Sequence, residues 1–149
     1  MNQTIENNIE EISLNEIKKF AENTESNTRV LPDDCPVGSG GRQGDVYLIR
    51  LASFNSGKSK LTHDRQLAPG NTQGSRHTVD ENVQVWIPKD GLKDQVITTE
   101  FGLCVMGPVV TAKERWTLSH PDHANFSAPA GDWQISYQVD PIRQARVLD

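Results

Sequence analysis

The sequence lacks the features that mark several common functional classes. No apolar run approaches the roughly 18 to 20 residues that span a bilayer, so we expect no membrane segment. The chain has 15 lysines and arginines against 20 aspartates and glutamates, a net charge of −5. Nucleic-acid-binding surfaces normally cluster basic residues, so we do not expect nucleic acid as a partner. The acidic, polar N-terminus does not follow the plan of an export signal, which predicts a soluble, cytoplasmic protein.

Cysteine is also scarce. Cys35 and Cys104 are far apart and neither belongs to a CxxC motif, which argues against a zinc knuckle or a redox pair. Without an export signal we expect no structural disulfide. The apolar segment around Cys104 predicts a buried thiol, whereas the loop sequence around Cys35 predicts an exposed one.

The first 42 residues differ from the rest of the chain. A capping box at Ser13 to Glu16 predicts a short helix over about residues 14–22. Residues 23–42 are rich in asparagine, serine, proline and glycine, as in a linker. We therefore divide the chain into a polar tail, helix and linker over 1–42 and a folded domain over 43–149. The helix is either part of the tail or a docking element for a partner.

From Gln43 onward the apolar residues recur with a period of two. The clearest case is the last predicted strand, where apolar and polar residues alternate over residues 132–139, as in a half-buried antiparallel strand. Pro129 to Gly131 form a turn signal, so we expect the segment containing Phe126 and Ala128 to pair with that strand. Roughly seven or eight short strands predict an all-β domain, a mainly antiparallel β-sandwich or a small barrel.

Three histidines are the candidate functional residues. His120 and His123 lie in SHPDHANF, between a predicted strand that ends at Leu118 and one that contains Phe126. His77 ends a glycine-containing loop. Three neutral imidazoles are enough to hold Zn²⁺ or another divalent metal and to leave one coordination position open.

Two aspartates can support these histidines. Asp64 and Asp122 are each able to supply an oxygen ligand or to orient an imidazole from outside the metal shell. The competing interpretation is that two histidines in a turn are ordinary surface polar residues, and a proton-transfer site without metal is a further alternative. The glycines at 38–41 lack the GxxxxGK[ST] phosphate-binding pattern, and no carboxylate pair is evident. The sequence therefore leaves open whether the protein is an enzyme.

The folded part resembles a group of small, uncharacterised bacterial β-domain proteins. Their pattern is QGDV, a Gly-x-x-His loop, His-x-x-His, a Pro-x-Gly turn and a closing glutamine-rich strand, and the resemblance covers roughly residues 42–149. The residues that match the pattern are Gln43, Gly44, Asp45, Gly74, His77, His120, His123, Gly131 and Gln138. The chain has Gly-Ser-Arg-His at 74–77 where related loops read Gly-His-x-His, so one possible ligand is missing. The resemblance implies the domain and a metal site at the histidines, but no reaction.

Two functions follow as hypotheses. The first is a metal-binding accessory protein, with a hydrolytic role open, in which His77, His120 and His123 bind Zn²⁺ or another divalent ion. The second is a non-enzymatic interaction module or a subunit of a larger assembly. It would dock through the N-terminal helix and a sheet edge onto another protein or a second copy of the chain.

Overall fold

The computed structural model describes residues 28–67, 76–140, 142 and 145–146. The helix predicted over 14–22 lies outside these residues. In the part that is described, no helix is long and apolar enough to cross a membrane.

Strands dominate the described part of the chain, with one 3-10 turn at Ser56–Lys58. The twelve strands there are β1 (Thr28–Val30), β2 (Gly40–Gln43), β3 (Val46–Leu51), β4 (Ser59–Thr62), β5 (Thr78–Val79), β6 (Val83–Pro88), β7 (Val96–Thr99), β8 (Gly102–Ala112), β9 (Trp116–Ser119), β10 (Asn125–Ala128), β11 (Gly131–Asp140) and β12 (Ala145–Arg146).

The strands form two sheets. The smaller sheet has the order β1-β10-β9-β5, in which β1 runs parallel to β10 and the other pairs are antiparallel. The larger sheet has the order β2-β3-β11-β8-β6-β4, with β12 paired to β11 and β7 paired to β8. Neither sheet closes into a barrel. The prediction of an all-β domain is confirmed.

Side chains from both sheets form the hydrophobic core. Trp116 of β9 and Trp133 of β11 meet edge to face, with ring centroids 6.3 Å apart, and each is at most 1% exposed. The indole N–H of Trp133 donates to the Pro129 carbonyl, so the buried ring keeps no unmet donor. Trp133, Ile135 and Tyr137, on the apolar face predicted over 132–139, are all buried on β11. The alternation is not strict, because Ser136 on the polar face is also 0% exposed and the pairing with β8 shifts between Gln134 and Ser136.

The predicted pairing of Phe126 and Ala128 with the last strand is wrong. These two residues lie on β10, which pairs with β9 in the register Leu118↔Phe126 and Trp116↔Ala128. The strand predicted to be the last, β11, belongs to the other sheet and pairs with β3 and β8. The proline–glycine turn at 129–131 therefore carries the chain from one sheet to the other instead of closing a hairpin. The Arg50 guanidinium fixes this passage by donating to the Ala130 carbonyl at 3.0 Å.

Residues 28–42, which the sequence places in the linker, contribute to both sheets through β1 and β2. Cys35, between these strands, is only 8% exposed and packs in the core, so the prediction of an exposed thiol is wrong. Its loop is held in place by Arg50, whose guanidinium donates to the Asp33 and Cys35 carbonyls.

The glycine pair in β2 explains why this segment resembles a loop in sequence. A Cβ atom on Gly41 would lie 2.1 Å from a ring carbon of Phe126, and one on Gly40 would lie 1.8 Å from the Leu48 carbonyl oxygen. The backbone of β2 therefore packs where no side chain fits. Glycine here marks close approach within a strand rather than a flexible linker.

Candidate functional site

The site begins at the hairpin turn between β2 and β3. Gln43 pairs directly with Val46, which leaves Gly44 and Asp45 as the two central residues of the turn. Gly44 has φ +59°, a conformation that glycine adopts readily at the first central position of a tight hairpin. The side chains of Gln43 and Asp45 are both buried, at 2% and 3% exposure. The QGD motif thus places an amide and a carboxylate inside the protein at the tip of a hairpin.

His77 lies between these two side chains and is fully buried. Its Nδ1 is 2.9 Å from Oε1 of Gln43, and its Nε2 is 3.2 Å from Oδ1 of Asp45. A buried imidazole with a partner on each ring nitrogen has a fixed orientation.

The hydrogen-bond partners of Gln43 determine which nitrogen of His77 carries a hydrogen. The Gln43 amide nitrogen donates to the carbonyls of Leu118 and Ala124, at 3.0 and 2.8 Å. Its oxygen must then be the atom that faces His77, and an amide oxygen can only accept. Nδ1 of His77 is therefore the protonated nitrogen, and Nε2 is directed at the carboxylate of Asp45.

The same glutamine supports the histidine turn. Residues 120–124 connect β9 to β10, and the Gln43 amide nitrogen donates to the carbonyl of Leu118, near the end of β9, and to that of Ala124, at the end of the connection. His120, within it, is 7% exposed, and its Nδ1 accepts the backbone N–H of Asp122 at 2.9 Å. His123 is exposed. One side chain thus fixes the His77 ring and the turn that carries the other two histidines.

The three imidazoles form a cluster. The ring centroids are 4.5 Å apart for His77 and His120, 4.3 Å for His120 and His123, and 6.2 Å for His77 and His123. The ring of His123 lies against the backbone of Gly44, because a Cβ atom there would be 2.7 Å from its Nε2. The cluster therefore lies directly over the hairpin tip that carries Gln43 and Asp45.

The structure brings the three predicted histidines together from distant parts of the chain. The backbone N–H of Asp122 donates to Nδ1 of His120, and this contact does not involve the Asp122 carboxylate. Asp64 is exposed, and its carboxylate accepts the Gln66 N–H at 3.0 Å in a local turn.

Gln43 and Asp45 are site residues that sequence reasoning missed. They belong to the QGDV segment that carries the resemblance, and that segment was the available signal. Nothing in the local pattern distinguishes an inward carboxylate at a hairpin tip from an ordinary polar turn residue. Only the long-range contact with His77 shows their role.

The atoms that could bind a metal ion are only partly brought together. Within the described ranges, no three His, Cys, Asp or Glu side chains converge as a ready-made metal site. Two donors, Nε2 of His77 and Oδ1 of Asp45, do lie side by side in a buried position. A third donor would have to move toward them.

Fold and cluster together define a two-sheet β domain with a buried histidine–carboxylate centre at a hairpin tip. The family model described as a domain of unknown function, DUF8820, matches residues 42–138, and the chain belongs to this family. Comparison with curated proteins and with solved structures gave no match. The matched span contains every residue of the cluster, from Gln43 to His123.

Proposed function

We propose that the domain binds one divalent transition-metal ion, with Nε2 of His77 and Oδ1 of Asp45 as its first two ligands. The 3.2 Å between these atoms carries the proposal. Two ligand atoms bound at ~2.0–2.1 Å to one tetrahedral ion lie about 3.3 Å from each other. The same separation also lies within the ordinary range of an N–H···O hydrogen bond, about 2.7–3.2 Å. The pair is therefore spaced so that both atoms can bind one ion without moving apart.

The surroundings of His77 support the same conclusion. A metal-binding imidazole normally donates its other N–H to a fixed acceptor, which sets the tautomer and the ring orientation. Oε1 of Gln43 is such an acceptor, 2.9 Å from Nδ1. Nε2 is left as the nitrogen that can bind an ion.

His123 is the third ligand in this proposal. It is exposed, and its ring lies against Gly44, next to Asp45 at the tip of the hairpin. Nδ1 of His120 accepts an N–H from Asp122, so its neutral form carries a hydrogen on Nε2. His120 would have to break that bond to become a ligand, and here it packs between the other rings instead.

Two imidazoles and one carboxylate suit Zn²⁺ and similar ions and leave one coordination position open. A water molecule in that position would have a lowered pKa, which is the basis of metal-assisted hydrolysis. The described residues near the cluster provide no separate general base, so the proposed function is metal binding with an open position, and hydrolysis is its possible use.

Zinc titration of untagged, chelator-treated protein tests the proposal. We expect one ion per chain, and a loss of more than about 100-fold in affinity for His77→Gln and for His123→Gln, because removal of a ligand costs more than the removal of a residue that only supports one. His120→Gln should weaken binding much less. His63→Gln is the matched control, because His63 is exposed and outside the cluster. If His123→Gln bound zinc as tightly as the unchanged protein, the proposed ligand set would be refuted.

A second candidate function is that of an interaction module, which two exposed apolar side chains favour. Val96 and Leu103 are 45% and 62% exposed and lie on the same face of the β7–β8 pair, in the register Val96↔Val105 and Thr98↔Leu103. In the described part of the chain β7 pairs only with β8, so it also has an open edge.

Sedimentation of the full chain tests this second function. A self-associating protein should dissociate on Leu103→Lys but not on Val37→Lys, a control residue that is equally exposed elsewhere. Deleting residues 1–22 tests the expected docking helix, and an unchanged complex would refute that role.

A further inference from the structure

A cleft of about 330 Å³ is lined in part by His120. Five described residues line it, and they come from the start of β5 and the end of β9: Arg76, Thr78, Ser119, His120 and Pro121. The volume is at the lower end of the range for small-molecule sites.

The pairing of two strands places the polar side chains of the cleft together. Thr78 and Ser119 are direct partners across β5 and β9, so their hydroxyls lie side by side on one face. Arg76 and Thr78 are exposed while His77, between them, is fully buried. The alternation thus sends His77 to the buried cluster and its two neighbours to the cleft.

Every polar side chain of the cleft can donate a hydrogen bond. Arg76 carries a permanent positive charge with five N–H donors, and Thr78 and Ser119 supply hydroxyls. His120 accepts at Nδ1 from Asp122, so in its neutral form it also has a donor, Nε2–H. None of the five described lining residues is acidic. Most of the surface that the cleft exposes is nevertheless apolar, and Pro121 is the one of these five residues without a polar side chain.

The geometry points to a binding site for the oxyanion of a small organic acid, either a carboxylate or a phosphate monoester. The guanidinium of Arg76 and the two hydroxyls would hold the anionic group, and Pro121 would contact the apolar body. His120 lines the cleft and also belongs to the histidine cluster, where its ring centroid is 4.5 Å from that of His77. That such an anion is the substrate of the metal centre rests on the proposed function, whereas its binding in the cleft does not.

Calorimetric titration of the full chain tests the inference, with and without one equivalent of zinc. The probes are benzoate and phenyl phosphate, and benzyl alcohol is the uncharged control. We expect one site for at least one anion and none for the alcohol. A preference for phenyl phosphate identifies phosphate monoesters and a preference for benzoate identifies carboxylic acids, and either supports the inference.

Three variants make the test specific. Arg76→Gln should weaken anion binding about tenfold or more, because it removes a charge-assisted contact. Ser119→Ala should weaken it by a few-fold, on the order of one neutral hydrogen bond. Arg29→Gln is the matched control, because Arg29 is exposed on β1 at the opposite edge of the same sheet.

The outcomes separate this inference from the proposed function. Three results would each overturn the inference that the cleft binds anions. They are equal anion affinity in Arg76→Gln and the unchanged protein, equal binding of the alcohol and the anions, and no anion binding at all. Zinc affinity is expected to be the same in Arg76→Gln and the unchanged protein. Normal zinc binding without anion binding would refute only the anion site in the cleft. Anion binding without zinc binding would refute only the proposed metal site.

Discussion

Nε2 of His77 lies 3.2 Å from Oδ1 of Asp45, and the two side chains are 0% and 3% exposed. Burying a carboxylate beside an imidazole is costly unless a proton or a metal lies between them. Because Nδ1 donates to Gln43, Nε2 is the ring nitrogen that faces the carboxylate. The space between Nε2 and Oδ1 is the position that the proposed ion would take.

Metal binding should weaken as the pH falls. Imidazoles and carboxylates bind a metal ion in their deprotonated forms, so protons compete with the ion for His77, Asp45 and His123. Zinc titrations at neutral and at acidic pH measure the effect. Equal zinc affinity at the two pH values would contradict a site built from histidine and aspartate.

Gln43→Leu should destabilise the fold by about 3 kcal/mol, since it removes three buried hydrogen bonds of about 1 kcal/mol each. Urea unfolding measures the change. Gln84→Leu is the matched control, because Gln84 is an exposed glutamine on β6, and it should stay within about 0.5 kcal/mol of the unchanged protein. Similar effects in both variants would show that Gln43 does not support the site.

Gly44→Ala should cost more stability than Gly91→Ala. Both glycines have positive φ, at +59° and +90°, so both substitutions introduce backbone strain of about 1–2 kcal/mol. A Cβ atom on Gly44 also meets the His123 ring at 2.7 Å, whereas one on Gly91 meets nothing within 4 Å.

The unfolding free energies of the two alanine variants give the comparison directly. The Cβ atom meets the far end of the exposed His123 side chain, so the ring should shift away at a small additional cost in free energy. Only Gly44→Ala should shift the imidazole resonances of His123 in the NMR spectrum. A larger loss in Gly91→Ala, with unmoved His123 resonances in Gly44→Ala, would refute the packing of His123 on the hairpin.

Cys35 should react slowly with a thiol reagent in the folded protein. Its side chain is 8% exposed and packs in the core, and Cys104 is fully buried. Both thiols should react rapidly in denaturant, so the difference reports burial. The variant Cys35→Ala shows which thiol reacts if labelling of the folded protein is fast. Fast labelling that persists in Cys35→Ala would place Cys104 at the surface. Fast labelling that is lost in Cys35→Ala would place Cys35 there.

The local strand pattern was enough to predict the all-β class, because alternation is a property of each segment alone. The pairing of β10 was mispredicted for the opposite reason. A proline–glycine turn at 129–131 fits a hairpin and a passage between sheets equally well, and only the contacts of Trp133 and Arg50 decide between them. Similarly, Gly40 and Gly41 look like linker residues until Leu48 and Phe126 are seen against them.

The residues of the candidate site were likewise predicted only in part. The spacing of His120 and His123 within one turn is visible in sequence, and His77 could be named as a distant third residue. Asp45 could not be assigned a role, because its meeting with His77 depends on the pairing of β2 with β3 and on the position of β5. A contact between residues more than 30 positions apart produces no periodic pattern in the sequence.

The metal content of the protein tests the central claim most directly. Untagged protein, loaded with zinc and freed of excess ion, should hold one zinc per chain by elemental analysis, and chelation should lower its unfolding temperature. Asp45→Asn and His77→Gln should hold none, while His63→Gln should hold one. No stoichiometric metal in the unchanged protein, together with an unfolding temperature that chelator leaves unaltered, would contradict the account.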